Sequence, residues 1–265
     1  DIRKKKIETY ANIGSEYVIS EPDVQTIYDV PLDLEKDGLG LKILKKFGLE
    51  PKKEADWKDW KTQVEHIKNP KIKKKIAIIG KYVDIGDYNL IDSYISVNQA
   101  VIHASSELGV GAEMDWIDSK KLETGETDIN ILKDYDGIII PGGFGKSGVE
   151  GKIKAINFAR ENNLPFLGLC LGMQLAVIEF ARNVCGLEGA HSTEIDENTK
   201  YPVIDMLEEQ KEILYESRYG ASMRLGGYPA ELKEGTKVFE LYGKKDVSER
   251  HRHRYEVNPE YIAQL

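Results

Sequence analysis

Cys170 stands in Gly168-Leu169-Cys170-Leu171-Gly172, a spacing with a definite chemical use. A short apolar run, residues 164–169 with Pro165 near its start, reads as a buried parallel strand. Residues 175–182 read as a helix too apolar to lie on a surface. The cysteine therefore sits where strand becomes helix. This is the cysteine form of a nucleophile elbow, whose flanking glycines allow a sharp turn and close approach of other backbone. The side chain is offered at the carboxyl edge of the sheet, where open α/β sheets bind ligands. Free N–H groups at the helix start favour thiolate over thiol. The plain alternative is a structural cysteine buried between two core elements.

A second glycine cluster bears on that choice. Asp136-Gly137-Ile138-Ile139-Ile140 reads as another buried strand and runs into Pro141-Gly142-Gly143-Phe144-Gly145. Such a loop exposes backbone N–H groups with few side chains in the way. Beside the elbow, the Gly143 and Leu171 N–H groups could form an oxyanion hole. At this point the sequence resembles the class I (triad) glutamine amidotransferases, which pair P-G-G-x-G with G-x-C-x-G-x-Q in this order.

Composition limits the alternatives. The 265 residues suffice for one full domain and something smaller. A formal net charge of −8 and a pI near 5.3 argue against a general nucleic-acid binder. The basic run at 71–75 reads as a solvated lead-in to a strand. No apolar stretch approaches a membrane span, and nothing resembles a signal peptide. Two cysteines, Cys170 and Cys185, make no disulfide framework and suit a reducing cytoplasm. With no C-x-x-C and no histidine cluster of metal spacing, no structural metal is expected. The chain opens on Asp1, which implies a fragment, a processed product or a truncated form.

The elements that must position Cys170 follow in order. Residues 1–69 do not read as a complete domain. Residues 6–12 alternate weakly, as a strand would. Glu21-Pro22-Asp23 signals a helix start ahead of Val24, Ile27 and Tyr28. Residues 39–47 read as a short amphipathic helix stopped by Gly48 and Pro51. Residues 56–67 read as a second, with Trp57, Trp60, Val64 and Ile67 on its apolar face. The tryptophans are expected to pack against a domain rather than bind a ligand. From Lys71 strand and helix alternate: a strand at 76–80, and a helix at 93–108 with Val97, Val101, Ala104 and Leu108 on one face and Gly109 as its stop. A strand at 114–117, the Ile138 strand, a helix at 149–162 and the elbow complete the series. The expected fold is α/β, a doubly wound, mostly parallel flavodoxin-like sheet. After Gly186 strands are expected at 211–216, 221–225, 237–241 and 251–257, as an antiparallel extension near the elbow.

The region after the elbow narrows the resemblance. Ala190-His191-Ser192-Thr193-Glu194, Lys200-Tyr201-Pro202-Val203, Met223-Arg224-Leu225-Gly226 and the run from Glu249 through Arg250-His251-Arg252-His253-Arg254-Tyr255 to Asn258 together resemble the glutaminase domain of the CTP synthase family. Residues 6–12 and 18–20 resemble the end of that family's amidoligase domain. The resemblance thus divides the chain into 1–69, the amidoligase tail with a linker, and 70–265, the amidotransferase domain.

What it implies falls on particular residues. Cys170 matches the nucleophile that attacks the glutamine side-chain amide to form a thioester and release ammonia. Gly143 and Leu171 match the oxyanion-hole donors, and Gly172, Met173 and Gln174 the loop around the substrate. Glu194 matches the carboxylate that receives the substrate ammonium, and Arg254 the guanidinium that receives its carboxylate. Phe144 matches a residue of the GTP response. No cofactor is implied in the glutaminase domain. For the synthase domain the resemblance implies ATP and Mg2+, amination of UTP to CTP, GTP as activator, and a cytoplasmic tetramer when full length. It also implies a general-base His, oriented by a Glu two residues on, in a segment beyond the Arg254 motif. None of His66, His103, His191, His251 and His253 has that partner, and His251 and His253 read as a polar strand face. The chain is therefore expected to be truncated before its base. The other reading is an inactive module that binds glutamine or GTP and regulates a partner.

Overall fold

The computed structural model describes residues 2–81, 84–85, 88–89, 94–206 and 224–265. The chain divides into two compact units, Asp1–Lys74 with Ser96–Glu113, and Lys75–Ile95 with Met114–Leu265.

The first unit is helical: α1 (Ile2–Ala11), α2 (Val30–Lys36), α3 (Leu39–Lys46), α4 (Lys58–Lys68) and most of α5 (Ile95–Glu107). The weak alternation over 6–12 does not give a strand. Lysine, glutamate and alanine lose little on entering a helix, and α1 buries no residue that would enforce a two-residue period. Nor does Pro22 open a helix. The first helical turn is Ile27–Asp29, where the Thr26 side chain accepts from the Tyr28 N–H, and Pro31 sits in the first turn of α2. α3 and α4 lie where expected. α5 also forms, but Ala104 and Leu108 are exposed while Asn98 and Ser106 are buried. Polar contacts decide this: the Ser106 hydroxyl donates to the Gln63 carbonyl at 3.0 Å, and the His66 ring meets the Ser106 carbonyl at 2.8 Å. Trp60 donates its indole N–H to the Tyr28 carbonyl at 2.9 Å.

The second unit carries the sheet. β1 (Lys73–Gly80), β2 (Asp84–Ile85), β3 (Tyr88–Asn89), β4 (Gly111–Asp118), β5 (Gly137–Ile140) and β6 (Phe166–Gly168) precede the elbow. β2 and β3 pair antiparallel. The other four make one sheet in the order β4-β1-β5-β6, with β1–β5 and β5–β6 parallel. Ala77, Ile78 and Ile79 of β1 have no exposed surface, as expected of a strand covered on both faces. β6, expected to be buried as well, is not: it ends the described sheet, and Leu167 is 51% exposed. The covering helices of this unit are α6 (Ser119–Thr124), α7 (Val149–Glu161) and α8 (Leu171–Asn183). Leu175, Ile178 and Ala181 of α8 and Ile153, Ala155 and Ile156 of α7 are buried in the same core as Ile138 and Ile140. This is the doubly wound α/β arrangement expected from the strand–helix alternation.

Beyond α8 come β7 (Ala190–Ser192), β8 (Tyr201–Met206), β9 (Arg224–Glu231), α9 (Lys237–Tyr242), β10 (Asp246–His253) and β11 (Tyr255–Val257). β9 and β10 pair antiparallel, and a separate sheet has the order β11-β8-β7. The strand expected at 211–216 lies outside the described residues, as do 221–223 of the next. The expected strand at 237–241 is instead helix α9. Thr236 accepts from the Phe239 N–H at its start, and Gly243 ends it at φ 64°. The strand expected at 251–257 is broken at Arg254 into β10 and β11.

Between α7 and α8, the Glu179 carboxylate is 1% exposed. It accepts the Arg160 Nε–H at 3.1 Å on both oxygens, Arg160 Nη2 at 2.9 Å and Asn183 Nδ2 at 2.9 Å. Removing the guanidinium would strand a buried charge. Arg160→Ala should cost about 2–3 kcal/mol, discounted for the part-exposed arginine. Denaturant unfolding should show a lower midpoint at unchanged slope.

Candidate active site

The elbow depends on two close backbone contacts. A β-carbon on Gly172 would lie 2.0 Å from the Ile140 carbonyl oxygen, and one on Gly168 would lie 2.6 Å from the Gly172 carbonyl carbon. Only glycine lets the start of α8 press onto the ends of β5 and β6 in this way. The turn forces Cys170 to φ 52° and ψ −108°, a conformation that non-glycine residues rarely adopt. The Leu169 N–H donates to the Ile140 carbonyl at 2.9 Å, and the Cys170 carbonyl accepts from Met173 and Gln174 at 3.1 Å. The strained residue is thus held from both sides.

The glycine loop after β5 lies against the thiol. A β-carbon on Gly142 would be 3.3 Å from Cys170 Cβ and 3.7 Å from its sulfur. Together the elbow and loop border a cavity of about 380 Å³ lined by Gly143, Phe144, Cys170, Gln174, Glu194, Arg252, His253, Arg254 and Tyr255. Gln174, nearly buried, donates its side-chain N–H to the Tyr255 carbonyl at 2.7 Å, which ties α8 to the start of β11 beside Arg254. Glu194 is placed by the turn after β7, where its N–H donates to the Ser192 hydroxyl at 3.2 Å.

The electrostatics differ from a simple helix-start thiolate. Burial pushes the Cys170 thiol up, a hydrogen bond from the Leu171 N–H pulls it down, and the Glu194 charge raises it again. The net direction is upward, contrary to the expectation from the helix N-terminus alone. Cys170 is exposed where the elbow borders the cavity, so the thiol is accessible. Glu194 is likewise pushed up by burial, while Lys81 and Arg254 pull it back. Arg254 Nε is buried with no hydrogen-bond partner among the described residues, which leaves a charged donor beside a cavity of amino-acid size.

Of the residues singled out in the sequence, Gly143, Phe144, Cys170, Gln174, Glu194 and Arg254 converge on this cavity. Leu171 is buried and meets the thiol through its N–H. Gly172 is buried against Ile140, and Met173 is exposed; neither lines the cavity. Arg252, His253 and Tyr255 line it without having been singled out as site residues. His251 and His253 do share a strand face, with His251 Nδ1 2.7 Å from His253 Nε2, and His253 Nδ1 lies 3.7 Å from Glu256. Of the two, His253, at the end of β10, lines the cavity and His251 does not; the alternating Arg-His run carried a signal, the strand break did not. His191 is held elsewhere, accepting the Ser192 N–H at 2.9 Å, with burial lowering its pKa.

Comparison with known proteins agrees with this geometry. The family model described as Glutamine amidotransferase class-I matches residues 89–264. The chain is 53% identical over 264 residues to the CTP synthase of Methanocaldococcus jannaschii, covering 97% of this chain and 47% of that protein. It is 51% identical over 264 residues to the CTP synthase of Sulfolobus acidocaldarius, covering 99% and 48%. The chain therefore spans about half the length of the curated relatives it matches. Among solved structures, the glutaminase domain of Trypanosoma brucei CTPS with bound acivicin superposes with a TM-score of 0.64 at 37% identity, over 72% of this chain and 71% of that one. Fold, paired motifs and relatives converge: the chain belongs to the class I glutamine amidotransferase family, among the glutaminase domains of the CTP synthases.

Proposed function

We propose that this chain hydrolyses L-glutamine through a thioester on Cys170 and supplies the ammonia for ATP-dependent amination of UTP to CTP in the full-length protein. One observation carries the reading. A single cavity joins a strained cysteine to a carboxylate, Glu194, and to a guanidinium, Arg254, with an unpartnered buried donor. An α-amino acid head group needs one charge of each sign. Its side-chain amide then reaches toward the thiol.

In this mechanism the Cys170 thiolate attacks the amide carbon, and the carbonyl electrons move onto oxygen, facing the Gly143 and Leu171 N–H groups. Collapse expels the amine as ammonia once it has gained a proton. Water then cleaves the thioester to glutamate and restores the thiol. The raised thiol pKa makes a proton acceptor necessary, and the family resemblance puts that role on a His–Glu pair beyond the Arg254 motif. Gln174 holds the wall that bears Arg254, and Phe144 stands exposed at the cavity rim, suited to sensing a GTP activator.

The division into residues 1–69, an amidoligase tail and linker, and 70–265, the amidotransferase domain, belongs to the same proposal. ATP, Mg2+ and UTP are assigned to the remainder of the relatives' length, and to no residue of this chain. A cytoplasmic tetramer formed mainly through that remainder completes the picture. The raised thiol pKa also suits a second reading, a module that binds glutamine or GTP without hydrolysing it.

Four measurements test these readings. A diazo-ketone analogue of glutamine should alkylate Cys170 and spare Cys185, whose thiol is engaged with the Gln264 carbonyl at 3.1 Å; equal labelling removes Cys170 from the mechanism. The rate of Cys170 alkylation by iodoacetamide should rise with an apparent pKa above the usual thiol value of about 8.5. Glu194→Gln should move that midpoint down, because the Glu194 charge is one of its causes. In the full-length protein, Arg254→Ala should raise KM for glutamine by about 1.5–3 kcal/mol in binding and leave ammonia-dependent CTP formation near normal. Arg254→Lys should restore part of the loss. Failure with both nitrogen sources assigns Arg254 to folding or domain coupling. Binding of glutamine with no ammonia release by the full-length protein favours the non-hydrolytic module.

A further inference from the structure

Lys152 on α7 is 1% exposed, and its ammonium has no hydrogen-bond partner among the described residues. A buried ammonium without an acceptor is costly and calls for a reason. Its position supplies one. Lys152 Nζ lies 3.9 Å from where a β-carbon on Gly143 would stand, and Lys81 Cε lies 3.8 Å from the same point. Gly143 lines the cavity while Lys152 does not, so the ammonium approaches the glycine loop from its buried side. Burial, aided by the Lys81 charge, brings its pKa down to about 8, so the proton is largely retained at neutral pH.

A trans peptide points its N–H and C=O in opposite directions. A cation on the buried side attracts the carbonyl end of that dipole and repels the N–H end. We propose that Lys152 is a positioning residue that holds the Gly142–Gly143 peptide with its carbonyl inward and the Gly143 N–H toward the cavity. The oxyanion donor would then be oriented before substrate arrives, which is where most of its catalytic value lies. This deepens the glutaminase reading and rests on it, since it presumes attack on a carbonyl.

The test uses the full-length protein with Lys152→Met, which fills the buried site with an unbranched apolar chain, and Lys152→Arg, which keeps the charge. For Lys152→Met, kcat for glutamine hydrolysis should fall about 10- to 100-fold, somewhat less than deleting a donor outright, with KM within about twofold. Lys152→Arg should recover part of the loss. Alkylation of Cys170 by iodoacetamide, a displacement that forms no oxyanion, should proceed at the parental rate in both variants. In protein labelled with carbonyl-13C and 15N glycine, which reports Gly-Gly pairs such as Gly142–Gly143 and Gly226–Gly227, the Gly142 carbonyl resonance should move in Lys152→Met. An unchanged kcat overturns the proposal. So does a fall in kcat matched by a fall in alkylation, which marks general collapse of the site. If the parental protein hydrolyses no glutamine, the glutaminase reading fails, and the Gly142 resonance still decides the role of Lys152: a shift upholds it, an unmoved signal ends it.

Discussion

The contact on which the site depends is backbone against backbone. The N-terminal turn of α8 lies so close to the end of β5 that a β-carbon on Gly172 would meet the Ile140 carbonyl oxygen at 2.0 Å. That approach leaves no room for a relaxed strand-to-helix turn, and Cys170 takes up the difference at φ 52°. Strain of this kind costs about 1–3 kcal/mol and persists only where surrounding structure fixes it. Here the fixing elements are the buried strand β5, the edge strand β6, whose Phe166 packs on the core, and the apolar flank of α8, locked by Leu175, Ile178 and Ala181. The core thus performs the chemical task of aiming one sulfur atom.

The same compactness sets the electrostatics. A thiol, a carboxylate and a guanidinium share one recess, and each loses water by being there. Glu194 counters its own desolvation through Lys81 and Arg254, yet raises the thiol pKa. The helix N-terminus contributes a single N–H, from Leu171, and does not offset burial. In the proposed function, an amino acid entering the recess would pair with both charges. In the proposed mechanism, nucleophile activation and substrate binding would be coupled through Glu194.

Much of this was legible in the sequence because it is local. The elbow, the glycine loop, the buried strands β1 and β5 and the α7 and α8 helices follow from residue types a few positions apart, whereas the apolar run of β6 did not reveal that Leu167 would lie exposed at the end of the described sheet. The misreadings have a different origin. Residues 6–12 and 237–241 carry apolar residues at spacings that suit strand or helix, and capping by Thr236 and Gly243 settled the second. In α5 the apolar period pointed to Ala104 and Leu108, but the hydrogen bond from the Ser106 hydroxyl to the Gln63 carbonyl and the contact of the His66 ring with the Ser106 carbonyl select another face. His253 enters the cavity wall only because the strand breaks at Arg254, and the unpartnered Lys152 beneath Gly143 joins elements with no common sequence motif. Charges that meet across elements leave no period to read.

The central claim is that Cys170 carries the acyl group of glutamine. Rapid acid quench of the full-length protein during glutamine turnover, followed by peptide mass spectrometry, tests it directly. A glutamyl adduct should appear on the peptide containing Cys170, build up before steady state and be absent from Cys170→Ala, which should release no ammonia from glutamine. Sustained ammonia release by Cys170→Ala, or turnover with the adduct on another residue, would contradict the account.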